Sequence, residues 1–350
     1  MHLQEHVPLA PYTTFGIGGP ARWFVEAGDE ESVVEAMRFA REKNQALFVL
    51  GGGSNLLVSD QGFPGLVLHI ALQGIAHEGS LFRVAAGENW DSFVSHAIGA
   101  GYGGIECLAG IPGTVGGTPV QNVGAYGQEV ADTIASVRVL DRDNFTFSEM
   151  PASDCGFSYR RSIFNSTHRD RFIVTRVDYK LRAGSKPVLQ YPDLRRFFQD
   201  RPEAPSLAET AAAVREIRHR KGMLLVEGES DCRSAGSFFK NPIVPQAQYD
   251  AIAARESVPV PSFPAEAGFV KIPAAWLVEH AGFHKGYTLG KAGISSRHTL
   301  ALINRGDARA AEIVALRDRI VQAVEGQFSI RLEPEPVWLG PKASYGRPDR

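Results

Sequence analysis

No CxxC pair, no HxH and no HExxH occurs in the chain, and its three cysteines, Cys107, Cys155 and Cys232, stand far apart. An odd, scattered set suits neither a disulfide framework nor a structural zinc site, so a reducing cytosol is the expected compartment. The ten histidines form no ligand pattern, and no metal is expected. Apolar runs are short: "GLVLHIAL" falls far below the roughly 20 residues that cross a bilayer. The opening "MHLQEHVPLAPYTTF" has neither the basic end nor the continuous apolar core of a signal peptide. A formal net charge of only -2 offers no field to attract nucleic acid or an acidic membrane. Any anionic ligand must be held by local groups.

What is present describes an ordinary soluble enzyme, with 44% hydrophobic and 22% charged residues. At 350 residues the chain exceeds the size at which one core stops growing, so two domains are expected. "DEESVVEAMRFAREKN" sets Val33, Val34, Met37 and Ala40 on one helical face behind a capping Asp29. A buried strand should end at Gly51, and "FRVAAGENWDSFVSHAIGAGYGG" reads as strand, turn and a helix ended by Gly101. "ASVRVLD" and "RFIVTRVDYKL" are strand-like, and helices interspersed among strands predict an α+β fold. The character changes after Leu207, where a helix leads into a polar stretch. Domains are therefore expected at 1–210, with an internal break near 70, and at 211–340. "FSIRLEPEPVWLG" should be the last strand, and a disordered polar tail is expected over 341–350.

Two glycine-rich loops compete for a phosphate. "GIPGTVGGTPVQNVGAYG", Gly110–Gly127, holds six glycines and no charged side chain. "GGGSN", Gly51–Asn55, is followed by no Lys-Ser or Lys-Thr, so it is not a P-loop, and no helix opens after it as a dinucleotide fingerprint requires. What remains is a nest of backbone N–H groups or, for either loop taken alone, a tight turn. Two such loops leaving strand-like segments can grip one extended ligand from opposite sides. A neutral, donor-rich cradle suits a dinucleotide with a buried ring system.

"TTFGIGGPAR", "LGGGSNLLVSD", "GIPGTVGGTPVQNVGAYGQEV", "YRRSIF", "AGSFFKNP" and "AAWLVEHAGFHKGY" occur in that order over residues 10–340. In this succession the chain resembles the UDP-N-acetylenolpyruvoylglucosamine reductase family, in the class with a tyrosine-bearing substrate loop. The resemblance implies an FAD-binding domain of the vanillyl-alcohol-oxidase (p-cresol methylhydroxylase) type, followed by a smaller α/β substrate-binding domain. It implies that the cofactor is FAD, with NADPH as co-substrate, and that the loops wrap the FAD. The residues so assigned are Gly51, Gly52, Gly53, Ser54, Asn55 and Leu56 in the first loop. In the second they are Pro112, Gly113, Thr114, Gly116, Gly117, Gln121, Asn122, Gly124, Ala125, Tyr126 and Gly127. Glycine there permits a backbone approach that a Cβ would prevent.

The same resemblance assigns chemistry to residues that would otherwise pass as a surface arginine and turn residues. Arg160 is implied to bind the enolpyruvyl carboxylate, with Tyr159 beside it; in a strand the two would point to opposite faces. Ser237, in "SAGSFFKNP", is implied to protonate a carbanion, a base strong enough to accept a proton from a weak acid. Phe238 and Phe239 are either core or an aid to excluding water. "RLEPEPVWLG" offers Glu333 and Glu335 on one face if extended, and Glu335 best matches the family's catalytic glutamate. Pro336 follows it where the family usually has valine. For the uridine diphosphate the implied contacts are Tyr191, Asn241 and Lys221, with Arg297 and His298 as further candidates. His298 reads equally as structural.

The activity so implied is NADPH-driven reduction of UDP-N-acetylglucosamine enolpyruvate to UDP-N-acetylmuramate in peptidoglycan precursor synthesis. A cytoplasmic monomer is expected. Two rivals remain: an FAD-dependent sugar or lactone oxidase of the same superfamily, and a non-catalytic nucleotide-sugar sensor. The oxidase often tethers its flavin through a histidine, and neither glycine loop has one. The sensor has no need of Arg160, Ser237 and a terminal glutamate, all of which are present.

Overall fold

The computed structural model describes residues 1–341; the tail expected over 341–350 lies outside the described residues except for Pro341. The chain divides into two compact units. The first comprises Met1–Val7, Ala21–Gly53 and Pro64–Arg220; the second comprises Pro8–Pro20, Ser54–Phe63 and the residues from Lys221 on. The break after Arg220 lies ten residues beyond the expected one. The change of composition at Leu207 marks the start of a helix, α4 (Leu207–Arg220), whose apolar face (Ala211, Ala213, Val214 and Ile217) joins the first unit's core.

Two larger sheets and two short strand pairs lie in the first unit. One orders its strands Leu3–Pro8, Pro20–Ala27, Phe63–Ile70 and Leu47–Leu50, the last pair parallel. The other runs Phe147–Pro151, Ile134–Asp141, Phe172–Lys180, Leu81–Ala85 and Ile75–Glu78, antiparallel throughout. The change of sheet thus falls between Ile70 and Ile75. Helix α1 (Glu30–Glu42) starts where the Asp29 carboxylate accepts from Ser32 N at 2.7 Å. Its buried residues, Val33, Ala36, Met37 and Ala40, recur at helical spacing, while Val34 is half-buried. Helix α2 (Trp90–Gly99) is capped by Asn89, which accepts from Ser92 N at 2.9 Å, and it buries Trp90, Phe93, Val94 and Ala97.

In the second unit, α6 (Ala274–His280) and α7 (Ala310–Phe328) pack over a core of Phe238, Phe239, Leu277, Ile313, Leu316, Ile320 and Val324. The buried residues of α7, Ile313, Leu316, Ile320 and Val324, recur at helical spacing. Its N-terminus is capped at a distance: the Asp60 carboxylate accepts from Ala310 N at 2.8 Å and Ala311 N at 3.1 Å. "FSIRLEPEPVWLG" does not form one long strand. Only Val337–Leu339 does, parallel to Leu56–Val58, because Pro334 and Pro336 have no N–H to give a ladder. Among the described residues, no helix is long and apolar enough to cross a membrane.

Candidate active site

The second glycine loop is fixed at its first residue. Asp91, in the first turn of α2, accepts from Gly110 N at 2.6 Å, and Arg218 Nε donates to the Gly110 carbonyl at 3.0 Å. Arg215, one helical turn before Arg218, holds the Asp91 carboxylate through Nη2 at 2.8 Å and Nε at 3.0 Å. Burial lowers the pKa of the Arg218 guanidinium. Gly110 itself has φ +72°, a conformation that favours glycine. Sequence reasoning missed these three side chains. The signal was there: two arginines three apart on a helix whose Ala211, Val214 and Ile217 are buried.

The middle of the loop lies backbone to backbone with its neighbours. Trp90 N donates to Gly113 O, Val115 N to Glu88 O and Gly116 N to Ala86 O, at 2.8–3.1 Å. The first glycine loop meets it here. A Cβ on Gly52 would lie 2.6 Å from Gly113 Cα, and one on Gly51 would lie 2.8 Å from Thr114 Oγ1. Gly53 has φ +59°. Gly117 differs, for a Cβ there would enter open space with nothing within 4 Å. The two loops thus meet backbone to backbone at Gly52 and Gly113, with Gly117 open nearby. That arrangement fits a dinucleotide approached by backbone.

Beyond Gly117 the loop turns toward the arginine hairpin. Asn122, 1% exposed and at φ +45°, accepts from Ala131 N through Oδ1 at 3.1 Å. Its Nδ2 donates to Glu129 Oε2 at 2.7 Å and to Ser158 O at 3.1 Å. The Asn122 side chain, expected to touch a cofactor, is thus engaged within the protein. Tyr159 and Arg160 do not sit in a strand as expected. Ser158 and Arg161 pair at both N–H···O bonds, 3.0 Å each, leaving Tyr159 and Arg160 as the two residues of a tight turn. Arg160 has φ +54°, its Nη2 donates to Gly124 O at 2.7 Å, and its guanidinium lies 5.3 Å from the Tyr159 ring centroid. The ring of Tyr191 meets that of Tyr126 edge-on at 5.1 Å. Tyr191, 40% exposed, immediately precedes α3 (Pro192–Phe197).

In the second unit, Ser237 is half-buried next to Phe238 and Phe239, both of which are core. Phe238 N donates to Leu300 O at 2.8 Å, and Glu335 N donates to Phe238 O at 2.9 Å. Ser237 and Glu335 therefore sit on adjacent backbone segments. Lys240 N also donates to Glu333 O, so the chain is extended on either side of Pro334. The Glu333 carboxylate is ion-paired with the Lys240 ammonium and largely exposed. Asn55 Nδ2 reaches Glu335 O at 3.3 Å.

The remaining candidates gather around residues 295–300. Arg297 pairs with Glu229 at 2.7 Å and Asp231 at 3.6 Å. Asp231 also accepts from Ser296 N and Ser296 Oγ, so residues 229–231 are held against 295–297. His298 Nδ1 accepts from Leu300 N at 3.1 Å. Burial first, then the Lys221 and Lys285 ammoniums, lower the His298 pKa to about 4. The ring is therefore neutral near pH 7, and Lys221 lies close to it. Asn241 Oδ1 accepts from Ala274 N at 2.9 Å, capping α6 from outside the helix.

Residues 21–145 match the FAD binding domain model, and residues 228–339 match the C-terminal domain model of UDP-N-acetylenolpyruvoylglucosamine reductase. The UDP-N-acetylenolpyruvoylglucosamine reductase of Streptomyces avermitilis is 43% identical over 352 residues, covering 97% of this chain and 96% of its own. That of Thermobifida fusca is 42% identical over 350 residues, covering 96% and 98%. The crystal structure of UDP-N-acetylenolpyruvylglucosamine reductase from Thermus caldophilus aligns with a TM-score of 0.68 at 27% identity, covering 97% of this chain and 100% of that one.

Proposed function

The chain belongs to the UDP-N-acetylenolpyruvoylglucosamine reductase family, and on that premise we propose how its residues divide the work. The enzyme is an FAD-dependent oxidoreductase that uses NADPH to reduce UDP-N-acetylglucosamine enolpyruvate to UDP-N-acetylmuramate. FAD, when bound, would supply the hydride chemistry that links the nicotinamide to the terminal vinyl carbon of the substrate. Gly51–Leu56 and, apart from the inward-turned Asn122, Pro112–Gly127 hold FAD largely by backbone. The carrying observation is the open side of Gly117, beside the close contact of Gly52 with Gly113.

Ser237 gives its hydroxyl proton to the carbon next to the carboxylate. Arg160 offers its planar donors to that carboxylate and stabilises the charge that develops there. Glu335 serves the same end of the substrate, directly or through a polarised water; Glu333 is the weaker candidate because its carboxylate already neutralises Lys240. Tyr159 stands beside Arg160 at the carboxylate end, while Tyr191 contributes a hydroxyl and Lys221 an ammonium to the nucleotide end. His298 would present Nε2–H, since Nδ1 is occupied by Leu300 N. Asn241, whose Oδ1 accepts from Ala274 N, would contribute its Nδ2 donor, and Arg297 its guanidinium. We assign the FAD-binding role to the first unit and substrate binding to the second, and place the enzyme in the cytoplasm as a monomer. Three cysteines scattered along the chain, each buried, accord with that compartment.

The test is the visible spectrum of the purified protein. Oxidised flavin colours it yellow, NADPH should bleach it, and the enolpyruvyl substrate should restore the colour without oxygen. A protein that takes up no FAD, or that only oxygen can re-oxidise, would remove the assignment.

A further inference from the structure

We propose that Asn122 is a positioning residue for Arg160, setting where that guanidinium meets the substrate carboxylate. The proposal rests on the role given to Arg160 above. Asn122 belongs to the glycine loop by sequence, but its side chain works on the hairpin. It is 1% exposed, and its Nδ2 donates both to the Ser158 carbonyl, where the Tyr159–Arg160 turn begins, and to Glu129 Oε2. Its Oδ1 accepts from Ala131 N, which fixes the orientation of the amide. The backbone at φ +45° is one that asparagine tolerates better than most residues.

The turn needs such support because Arg160 sits at φ +54°, a conformation that persists in a non-glycine residue only when its surroundings impose it. Three contacts do so. Asn122 holds Ser158 O, Asn165 Nδ2 donates to Arg160 O at 3.1 Å, and the Arg160 guanidinium donates to Gly124 O. Gly124 pairs with Glu129, the residue Asn122 also grips. One amide therefore ties together the backbone that starts the turn and the hairpin that receives the guanidinium. A displacement of a positioned group by about 1 Å can cost on the order of 10²-fold in rate.

Asn122→Asp keeps the shape and turns the donor into an acceptor facing Glu129 and Ser158 O. It should keep FAD and be reduced by NADPH at close to the native rate. Calorimetry should show weaker binding of the enolpyruvyl substrate to the oxidised enzyme, and re-oxidation should slow by roughly 10- to 100-fold. Both should recover in part, relative to the native enzyme at the same pH, as pH falls and the new carboxyl takes up a proton. Asn122→Gly accepts the positive φ and lacks only the amide, so it should show the loss without the pH recovery. In an Arg160→Met background, either change should add little further loss. If Arg160→Met leaves re-oxidation intact, the role of Arg160 itself falls. If Arg160→Met slows it while Asn122→Asp and Asn122→Gly do not, or if the losses add fully, positioning by Asn122 is overturned. Loss of FAD from both Asn122 variants would overturn it as well, because the residue would then serve the cofactor loop.

Discussion

Asn55 and Glu335 are joined across 280 residues of chain: the Asn55 side-chain amide donates to the Glu335 carbonyl at 3.3 Å. Val337 N donates back to Asn55 O at 2.9 Å, and the parallel strands Leu56–Val58 and Val337–Leu339 continue the pairing. A residue of the first glycine loop thus helps to hold the backbone of the proposed catalytic carboxylate. Asn55→Ala removes that donor, a hydrogen bond contributing about 0.5–1.5 kcal/mol. Re-oxidation by the enolpyruvyl substrate should slow by up to about tenfold, with reduction by NADPH less affected. Single-turnover flavin absorbance measures both, and an unchanged re-oxidation rate would count against the link.

Gly116 and Gly117 are adjacent yet should fail differently. A Cβ at Gly116 would lie 2.6 Å from Ala86 Cβ and 3.1 Å from Ala86 O, so Gly116→Val should destabilise the protein whether or not FAD is present. A Cβ at Gly117 meets nothing within 4 Å. Neither glycine has a positive φ, so backbone strain is not the cause in either case. Gly117→Val should fold with native thermal stability as apoprotein and retain little FAD. Recovering it with full flavin content would show that Gly117 does not face the cofactor.

His298 should leave a mark on acid stability. Its folded pKa is lowered to about 4 by burial and by Lys221 and Lys285, against an ordinary value near 6.5 in the unfolded chain. Between those values the unfolded chain binds a proton that the folded one does not, so stability falls as pH drops from 6.5 toward 4. The slope from this one group approaches at most about 1.4 kcal/mol per pH unit. His298→Gln should flatten that limb in denaturant titrations at pH 4 to 7. An unaltered slope would show that the ring titrates normally in the folded protein.

The cradle was legible because glycine spacing and the absence of charge are local properties of a sequence. Asp29 as a cap and the helical face of Val33, Met37 and Ala40 were legible for the same reason. The Arg160 turn was not: a strand and a two-residue turn are hard to separate in "GFSYRRSIF", and Asn122 and Gly124, which hold the turn, lie some 36 residues earlier. Nor was the pairing that anchors Gly110, since Arg215 and Arg218 reach back more than a hundred residues, however plain their spacing on the helix. The Lys240 ion pair of Glu333 is likewise a tertiary contact that no periodicity encodes.

Ser237 separates the two halves of the reaction. If its hydroxyl only protonates the reduced substrate, Ser237→Ala should fold, bind FAD and be reduced by NADPH at nearly the native rate, because no carbanion arises in that half. Folding is expected to survive because the neighbouring contacts are backbone ones, Phe238 N to Leu300 O and Glu335 N to Phe238 O, and the core here is supplied by Phe238 and Phe239. Re-oxidation by the enolpyruvyl substrate should slow by roughly 10²–10⁴, the usual contribution of a positioned general acid. Ser237→Cys should recover part of the loss, since a thiol at the same place still has a proton to give. Stopped-flow absorbance with each substrate added separately resolves the two steps. Equal slowing of both would report damaged structure, and no slowing of re-oxidation would remove Ser237 from the chemistry.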